Sequence, residues 1–325
     1  MRDSTGEAGI PVRKGGEDVN VAYLGPRGTF TEEALFQLPE FKDTQLVPLG
    51  SFREVLECTE SGLYTYGFLP IENSIEGTVL ATLDPMIFEN TLLIQKEVVL
   101  NIHQNLLALP IADKSEIRTI ISYPHATAQC HSYIKKNFPG VEVRASDSTA
   151  RAAQMVREME DPSVAAIGPS IAAQIYDLKI LENWIEDFSN NKTRFVLFGQ
   201  KGIPAATGQD KTSIVCFQLA DQPGSLLHIL DHFAKRSINL TKLESRPTKV
   251  VMGEYCFIID LEGHVSDQEV GECLEEISDS GVTVKLLGSY PQARSLNKEE
   301  VREASAETLG HVGKGWIREL LDPLG

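Results

Sequence analysis

Short motifs that announce a cofactor, a metal or a covalent nucleophile are missing from this 325-residue chain. The first strand–helix turn carries no GxGxxG and no GxxxxGK[ST] occurs, which removes the dinucleotide fingerprint and the P-loop. HExxH is absent, so a metal centre has little support. Without GxSxG, a Ser–His–Asp nucleophile has no local signal. The five cysteines (Cys58, Cys130, Cys216, Cys256, Cys273) are odd in number and never form CxxC. That argues against a disulfide framework and for free thiols in the cytoplasm. Apolar runs never reach the length of a membrane span, and the opening MRDSTGEAGIPVRKGGED lacks the apolar centre of a secretory signal. Positive charge is scarce: 30 Lys and Arg face 46 Asp and Glu, a formal net charge of −16. That argues against nucleic acid as a partner. An anionic ligand would have to be held locally, by helix N-termini, backbone N–H groups or one or two arginines.

What is present is a rhythm. Hydrophobic residues make up 42% of the chain, enough to bury the cores of two ordinary domains. After a polar tail over 1–18, VNVAYLG reads as a strand and GTFTEEALFQL as a helix capped by Thr29, with Glu32 in the capping-box position. SFREVLECTESG repeats the device with Ser51 and Glu54. YGFLPIEN is a strand, and KEVVLNIHQNLLALP (96–110) reads as one long strand-like run. RTIIS, VEVRAS, VAAIG and FVLFG are further strands. PHATAQCHSYIKKNF, DSTARAAQMVREM and PSIAAQIYDL lie between them as helices. Alternation of this kind implies α/β layers with largely parallel pairing. QKGIPAATGQDK (200–211) reads as a linker. Beyond it the order is β-α-β-β-α-β in about 80 residues, the ferredoxin-like plan. In its first helix Leu226, Leu227, Leu230 and Phe233 mark one face. The segment 291–325 is charged and ends with Trp316, Ile317, Leu320 and Leu321 at helical spacing, a short amphipathic helix expected to dock on its own domain.

Polar clusters follow the strands: GPRGTF, PIENSIEG, ISYPHATAQC and DSTARAA. Ligands of open α/β sheets bind at such carboxyl ends. NKTRF (191–195) instead precedes its strand. Each cluster alone has an ordinary explanation. Asn73 and Ser74 suit a turn, Gln129 a helix border, Ser148 an N-cap, and Thr193 and Arg194 a strand entrance. His103 reads as a satisfied core histidine and His125 as an exposed residue at a helix start.

Taken in order, YLGPRGTFTEEAL, LPIENSIEGTV, SYPHATAQC, STARAA, AAIGPSIAAQIYDL and NNKTRFVLFG resemble prephenate dehydratase. DQPGSLLHIL and NLTKLESRP resemble the two signatures of the ACT regulatory domain attached to that enzyme. The resemblance spans roughly residues 19–290. It implies an α/β fold with a two-lobed, periplasmic-binding-protein-like domain over 19–200 and a ferredoxin-like ACT domain over 212–290. Lobe 1 is expected at about 19–95 and 185–200, lobe 2 at about 96–184, with the cleft between them. Thr193 corresponds to the family's catalytic threonine, and Asn73, Ser74 and Gln129 join it. Thr29, Ser122, Ser148, Thr149, Arg194 and Phe195 are implied as substrate contacts. The effector L-phenylalanine is implied at Gly224, Ser225, Leu226, Leu227, Asn239, Leu240, Glu244, Ser245, Arg246 and Pro247, between ACT domains paired in a homodimer or homotetramer. Tyr123 stands where the family has His, His125 where it has Gln, and Ser225 where it has Ala.

The implied reaction is the loss of CO2 and hydroxide from prephenate to give phenylpyruvate. Aromatisation drives it, so no cofactor is expected. The same scaffold leaves open an arogenate dehydratase, a non-aromatising prephenate decarboxylase, or a non-catalytic amino-acid sensor.

Overall fold

The computed structural model describes residues 19–200, 202–218, 223–249 and 254–293. The tail over 1–18 and the Trp316–Leu321 helix expected near the end lie outside the described residues. Lobe 1 forms around β1 (Asn20–Leu24), β2 (Gln45–Leu49), β3 (Tyr66–Asn73), the short β4 (Gly77–Thr78) and β5 (Leu93–Asn101). Its helices are α1 (Phe30–Leu35), α2 (Phe52–Glu60) and α3 (Leu80–Phe88). The caps follow the sequence signals: Thr29 Oγ1 accepts from Glu32 N at 3.4 Å and Ser51 Oγ from Glu54 N at 3.2 Å.

The apolar run 96–110 is not one strand. It leaves lobe 1 after Asn101 and enters lobe 2 as β6 (Asn105–Ala108). The three residues between are held from the returning chain: Ile102 N donates to Asn191 O at 2.8 Å and Gln104 N to Glu186 Oε2 at 2.9 Å. The crossing therefore lies at 102–104 rather than near 96. Lobe 2 continues with β7 (Thr119–Ser122), β8 (Glu142–Ala145), β9 (Val164–Gly168) and β10 (Lys179–Glu182), in the order β10-β6-β9-β7-β8. Its helices are α4 (Pro124–Gln129), α5 (His131–Asn137), α6 (Thr149–Met159) and α7 (Ser170–Ile175). The helix expected over PHATAQCHSYIKKNF breaks at Cys130, because Asp187 from the returning segment caps α5 by accepting from Ser132 N at 2.9 Å and Tyr133 N at 3.3 Å. α7 also stops early, since Lys179–Glu182 pair antiparallel with β6.

The chain returns through β11 (Lys192–Gly199), antiparallel to both β3 and β5. Lobe 1 thus has the order β5-β11-β3-β1-β2, with only the β1 pairings parallel. Two crossings between two α/β lobes give the periplasmic-binding-protein plan.

The C-terminal unit has the expected β-α-β-β-α-β order: β12 (Asp210–Phe217), α8 (Ser225–Lys235), β13 (Leu240–Pro247), β14 (Tyr255–Glu262), α9 (Gln268–Asp279) and β15 (Thr283–Pro291). Its strands run β13-β14-β12-β15, all antiparallel. α8 and α9 cover one face through Ile229, Phe233, Val270, Cys273 and Ile277. Leu227, expected on the buried face of α8, is 70% exposed instead.

The other face is covered by lobe 1. Val215, Cys256, Ile258, Leu287 and Tyr290 pack with Leu69, Met86 and Ile94. At roughly 1.5–3 kcal/mol for each fully buried aliphatic side chain, this seam is not that of a domain tethered only by its linker. Lys285 reinforces it: its Nζ donates to Met86 O, Ile87 O and Asn90 O at 2.7–2.8 Å, satisfying carbonyls at the C-terminus of α3. β15 also meets β5 edge to edge, Gly288 opposite Ile94, so one sheet runs through both units. A Cβ on Gly288 would lie 2.3 Å from Ile94 O. Gly288→Ala is therefore expected to lower the unfolding free energy by about 1–3 kcal/mol, measured by urea titration; an unchanged midpoint would contradict the close approach.

Candidate active site

Between the lobes lies a cavity of about 710 Å³, within the range of small-molecule sites. Lobe 1 lines it with Thr29, Phe30, Asn73 and Glu76, lobe 2 with Tyr123, Gln129, Ser148 and Arg151, and the returning chain with Asn191, Thr193 and Phe195.

Its centre is built by strand register. Thr193 stands opposite Asn73 where β11 pairs with β3. Asn73 Nδ2 donates to Thr193 Oγ1 at 2.9 Å and to Asn191 Oδ1 at 2.8 Å. The amide is fixed from its other end, because Asn73 Oδ1 accepts from Ile75 N at 2.9 Å and Glu76 N at 3.0 Å. Thr193 thus receives a hydrogen bond on its oxygen and keeps its own proton to donate. Asn191 Nδ2 passes the chain on to Gln129 Oε1 at 3.2 Å, which also accepts from Gln104 Nε2 at 3.4 Å. With its carbonyl used twice, Gln129 retains its NH2 as a donor. Residues of both lobes and of both crossings therefore meet in one amide–hydroxyl chain.

At the mouth, Glu76 Oε1 of lobe 1 lies 2.7 Å from His125 Nδ1 of lobe 2, and Tyr123 stacks on His125 with centroids 5.3 Å apart. The cation is Arg151, in the first turn of α6 behind its Ser148 cap; Arg151 N donates to Ser148 Oγ at 3.0 Å. Burial pushes the Cys130 thiol well up, and Glu186 and Asp187 add to the shift, so Cys130 is inert as a nucleophile.

Among the residues named from sequence, Thr29, Asn73, Gln129, Ser148, Thr149, Thr193 and Phe195 line this cavity. Three do not. Ser122 is fully buried and donates to Ile167 O at 2.8 Å, tying β7 to β9. Ser74 staples the turn to the returning chain, donating to Asn190 O at 3.2 Å and accepting from Lys192 N at 2.9 Å. Arg194 was expected beside a ligand carboxylate. Strand alternation turns it to the opposite face of β11 from Thr193 and Phe195, where it meets Glu72, Glu97 and Asp260. Asn191 and Arg151 were missed. Both sit inside quoted clusters, NNKTRF and STARAA, and the cap-plus-three spacing of Arg151 was the available signal.

The effector segment also divides. β13 is the outer strand of the sheet, and Glu244 and Arg246 turn toward lobe 1, where Glu244 accepts from Thr78 Oγ1 and Arg246 Nη2 holds Asp84 at 3.0 and 3.1 Å. Ser245 and Pro247 alternate outward. Leu240 packs against the core of its own unit, Asn239 O accepts from Glu262 N at 2.9 Å, and Gly224 caps α8 ahead of Ser225, Leu226 and Leu227.

Replacing Asn73 removes the partner of Thr193, Asn191 and two backbone N–H groups together. Asn73→Ala is expected to cost about 1–3 kcal/mol of stability, read from urea unfolding; a parental midpoint would show that the chain of amides is not formed.

The architecture and this arrangement agree with known proteins. A family model described as Prephenate dehydratase matches residues 21–203, and one described as ACT domain matches residues 212–279. A prephenate dehydratase of Methanocaldococcus jannaschii is 42% identical over 275 residues, 83% of this chain and 97% of that protein. A crystal structure of prephenate dehydratase from Arthrobacter aurescens in complex with L-Phe superposes with a TM-score of 0.77 at 35% identity, covering 94% of this chain and all of that one. GqqA, described as a novel type of quorum quenching acylase, superposes at 0.75 with 27% identity over 84% of this chain and 98% of that one. With more than half of its length matched by one family model, and a relative at 42% identity aligned along nearly its whole length, the chain belongs to the prephenate dehydratase family.

Proposed function

We propose that this protein converts prephenate to phenylpyruvate, with Thr193 as the hydroxyl that assists the departing oxygen. The observation that carries the reading is the 2.9 Å hydrogen bond from Asn73 Nδ2 to Thr193 Oγ1, which aims the threonine's proton away from its own scaffold. In the reaction the bond between the ring and its carboxylate breaks, and that electron pair enters the ring. The C4–O bond breaks with its pair on oxygen, releasing CO2 and hydroxide. Oxygen gains charge as it leaves, so a fixed donor lowers the barrier more than it strengthens substrate binding. Threonine is a weak acid, and its contribution is placement and hydrogen bonding rather than outright protonation.

The two carboxylates need cations or N–H donors in a strongly acidic protein. Arg151 and the first turn of α6 supply them from lobe 2, and the Gln129 NH2 points from the hinge side. The cleft hydroxyls of Thr29, Ser51, Ser148 and Thr193 are partnered by backbone or amide N–H groups rather than by an imidazole, which favours elimination over acyl transfer to a serine or threonine.

We further propose that L-phenylalanine binds between paired ACT domains in a homodimer or homotetramer. The supporting observations are the outer edge of β13, which pairs with no further strand among the described residues, and the exposed Leu227. Gly224, Ser225, Leu226, Leu227, Asn239, Ser245 and Pro247 remain the proposed contact set, without Leu240, which packs on the core of its own unit, and without Glu244 and Arg246, which turn to lobe 1. No helix among the described residues is long and apolar enough to cross a membrane. The cysteines among them are free, Cys216 with its pKa pushed up to about 12 by burial and by its neighbours Cys273 and Cys256, which suits the cytoplasm.

Thr193→Ala is expected to keep the fold and lower kcat for prephenate by roughly 10²–10³, the scale of one preorganised donor; near-parental turnover would refute the role. Asn73→Asp, which would accept the Thr193 proton instead of leaving it free, is expected to lose a similar factor, whereas parental turnover would place the useful proton elsewhere. Calorimetry on the full-length protein should show L-phenylalanine binding, and a flat titration would remove the effector from the account.

A further inference from the structure

The face of β11 turned away from the cleft carries a charge that the chemistry leaves unused. Arg194 is only 9% exposed. Its Nη1 lies 2.9 Å from Asp260 Oδ2 and 3.3 Å from Glu97 Oε2, and its Nη2 lies 3.0 Å from Glu72 Oε2. Lys211 Nζ donates to both oxygens of Glu97 at 2.9 Å. Lys242 Nζ lies 3.3 Å from Glu72 Oε1, donates to Thr78 Oγ1 at 2.8 Å and stands 3.4 Å from Glu244. Asp260 is held in turn by Ser213 Oγ at 2.6 Å. Arg194, Glu72 and Glu97 belong to the catalytic lobe, while Lys211, Lys242 and Asp260 belong to the ACT domain.

Burying so many ions is a poor way to gain stability, because desolvation offsets most of the attraction. Burial alone would lower the Arg194 pKa; Asp260, Glu97 and Glu72 reverse this and hold it well above the usual arginine range, so it stays charged. The register shows what such a cluster can do. Thr193 pairs with Asn73, and the next rung pairs Arg194 with Glu72. One peptide link thus separates each member of the reacting pair from an ion held by the ACT domain.

We propose that Arg194 is a positioning residue through which the ACT domain sets the placement of Thr193 and Asn73 from behind the strand pair. An effector that shifts the ACT domain alters the chemistry along the Arg194–Glu72 rung, without itself touching the cleft. The inference rests on Thr193 as the reacting hydroxyl.

The test uses full-length Asp260→Asn and Lys211→Met, neither of which alters a cleft residue, beside Arg194→Lys, which keeps the charge and loses the fork. Each variant is first shown to melt cooperatively. Expected are a fall in kcat for prephenate of about 3- to 10-fold and a KM within about twofold of the parent. L-phenylalanine binding by calorimetry should persist while its effect on turnover shrinks by at least about threefold. Combined with Thr193→Ser, Asp260→Asn should lower kcat by less than the product of the two single effects. Folded Asp260→Asn and Lys211→Met with parental kcat and parental response to L-phenylalanine would overturn the proposal while leaving the dehydratase reading intact. A parent with no prephenate turnover would overturn that reading first, and this one with it.

Discussion

An amide reaching across two antiparallel strands to a threonine hydroxyl is the constraint on which the rest of this structure turns. Asn73 can hold Thr193 only if β3 and β11 keep their register, and only if the returning chain enters lobe 1 where Asn191 completes the contact. Each requirement places a condition on a separate part of the fold. The register depends on β11 being clamped between β3 and β5. The entry point depends on both crossings being tied together, Ile102 to Asn191 and Gln104 to Glu186. The hinge and the site share Asn191, whose backbone carbonyl ties the two crossings and whose side chain joins Asn73 to Gln129.

The charge balance acquires a structural sense in this light. A chain with a formal charge of −16 cannot bind a dianion by its overall field. It places Arg151 at the cleft beside a helix N-terminus and commits Arg194 to a buried set of carboxylates behind the strand. The two arginines have opposite duties. One lines the cleft, with Glu158 of its own helix as its ion partner. The other joins the two units of the chain, together with Lys211, Lys242 and the Lys285 cap on α3.

The sequence was most legible where the physical signal is local. Caps at Thr29, Ser51 and Ser148 are set by a side chain and an N–H three residues on, and each forms. The βαββαβ order followed from period and turn residues, and the clusters at strand ends named most of the cleft. It was least legible where two faces of one element are both buried. β11 is apolar throughout after Arg194, so alternation alone could not say which of Thr193 and Arg194 faces the cleft. The break at Cys130 and the short β10 escaped for a different reason. Both depend on distant segments, Asp187 capping α5 and β6 pairing with Lys179–Glu182, which no local window contains. The seam between the two units was hidden likewise, since a Gly–Pro-rich connection reads as a tether whether or not the domains it joins are packed together.

Single-turnover rates of phenylpyruvate formation by Thr193→Ser and Thr193→Val, measured side by side, test the central claim most directly. The serine keeps a hydroxyl where Asn73 can orient it; the valine keeps the shape and removes the donor. The account predicts a serine rate within about tenfold of the parent and a valine rate lower by roughly 10²–10³. A valine variant as fast as the serine one would contradict it.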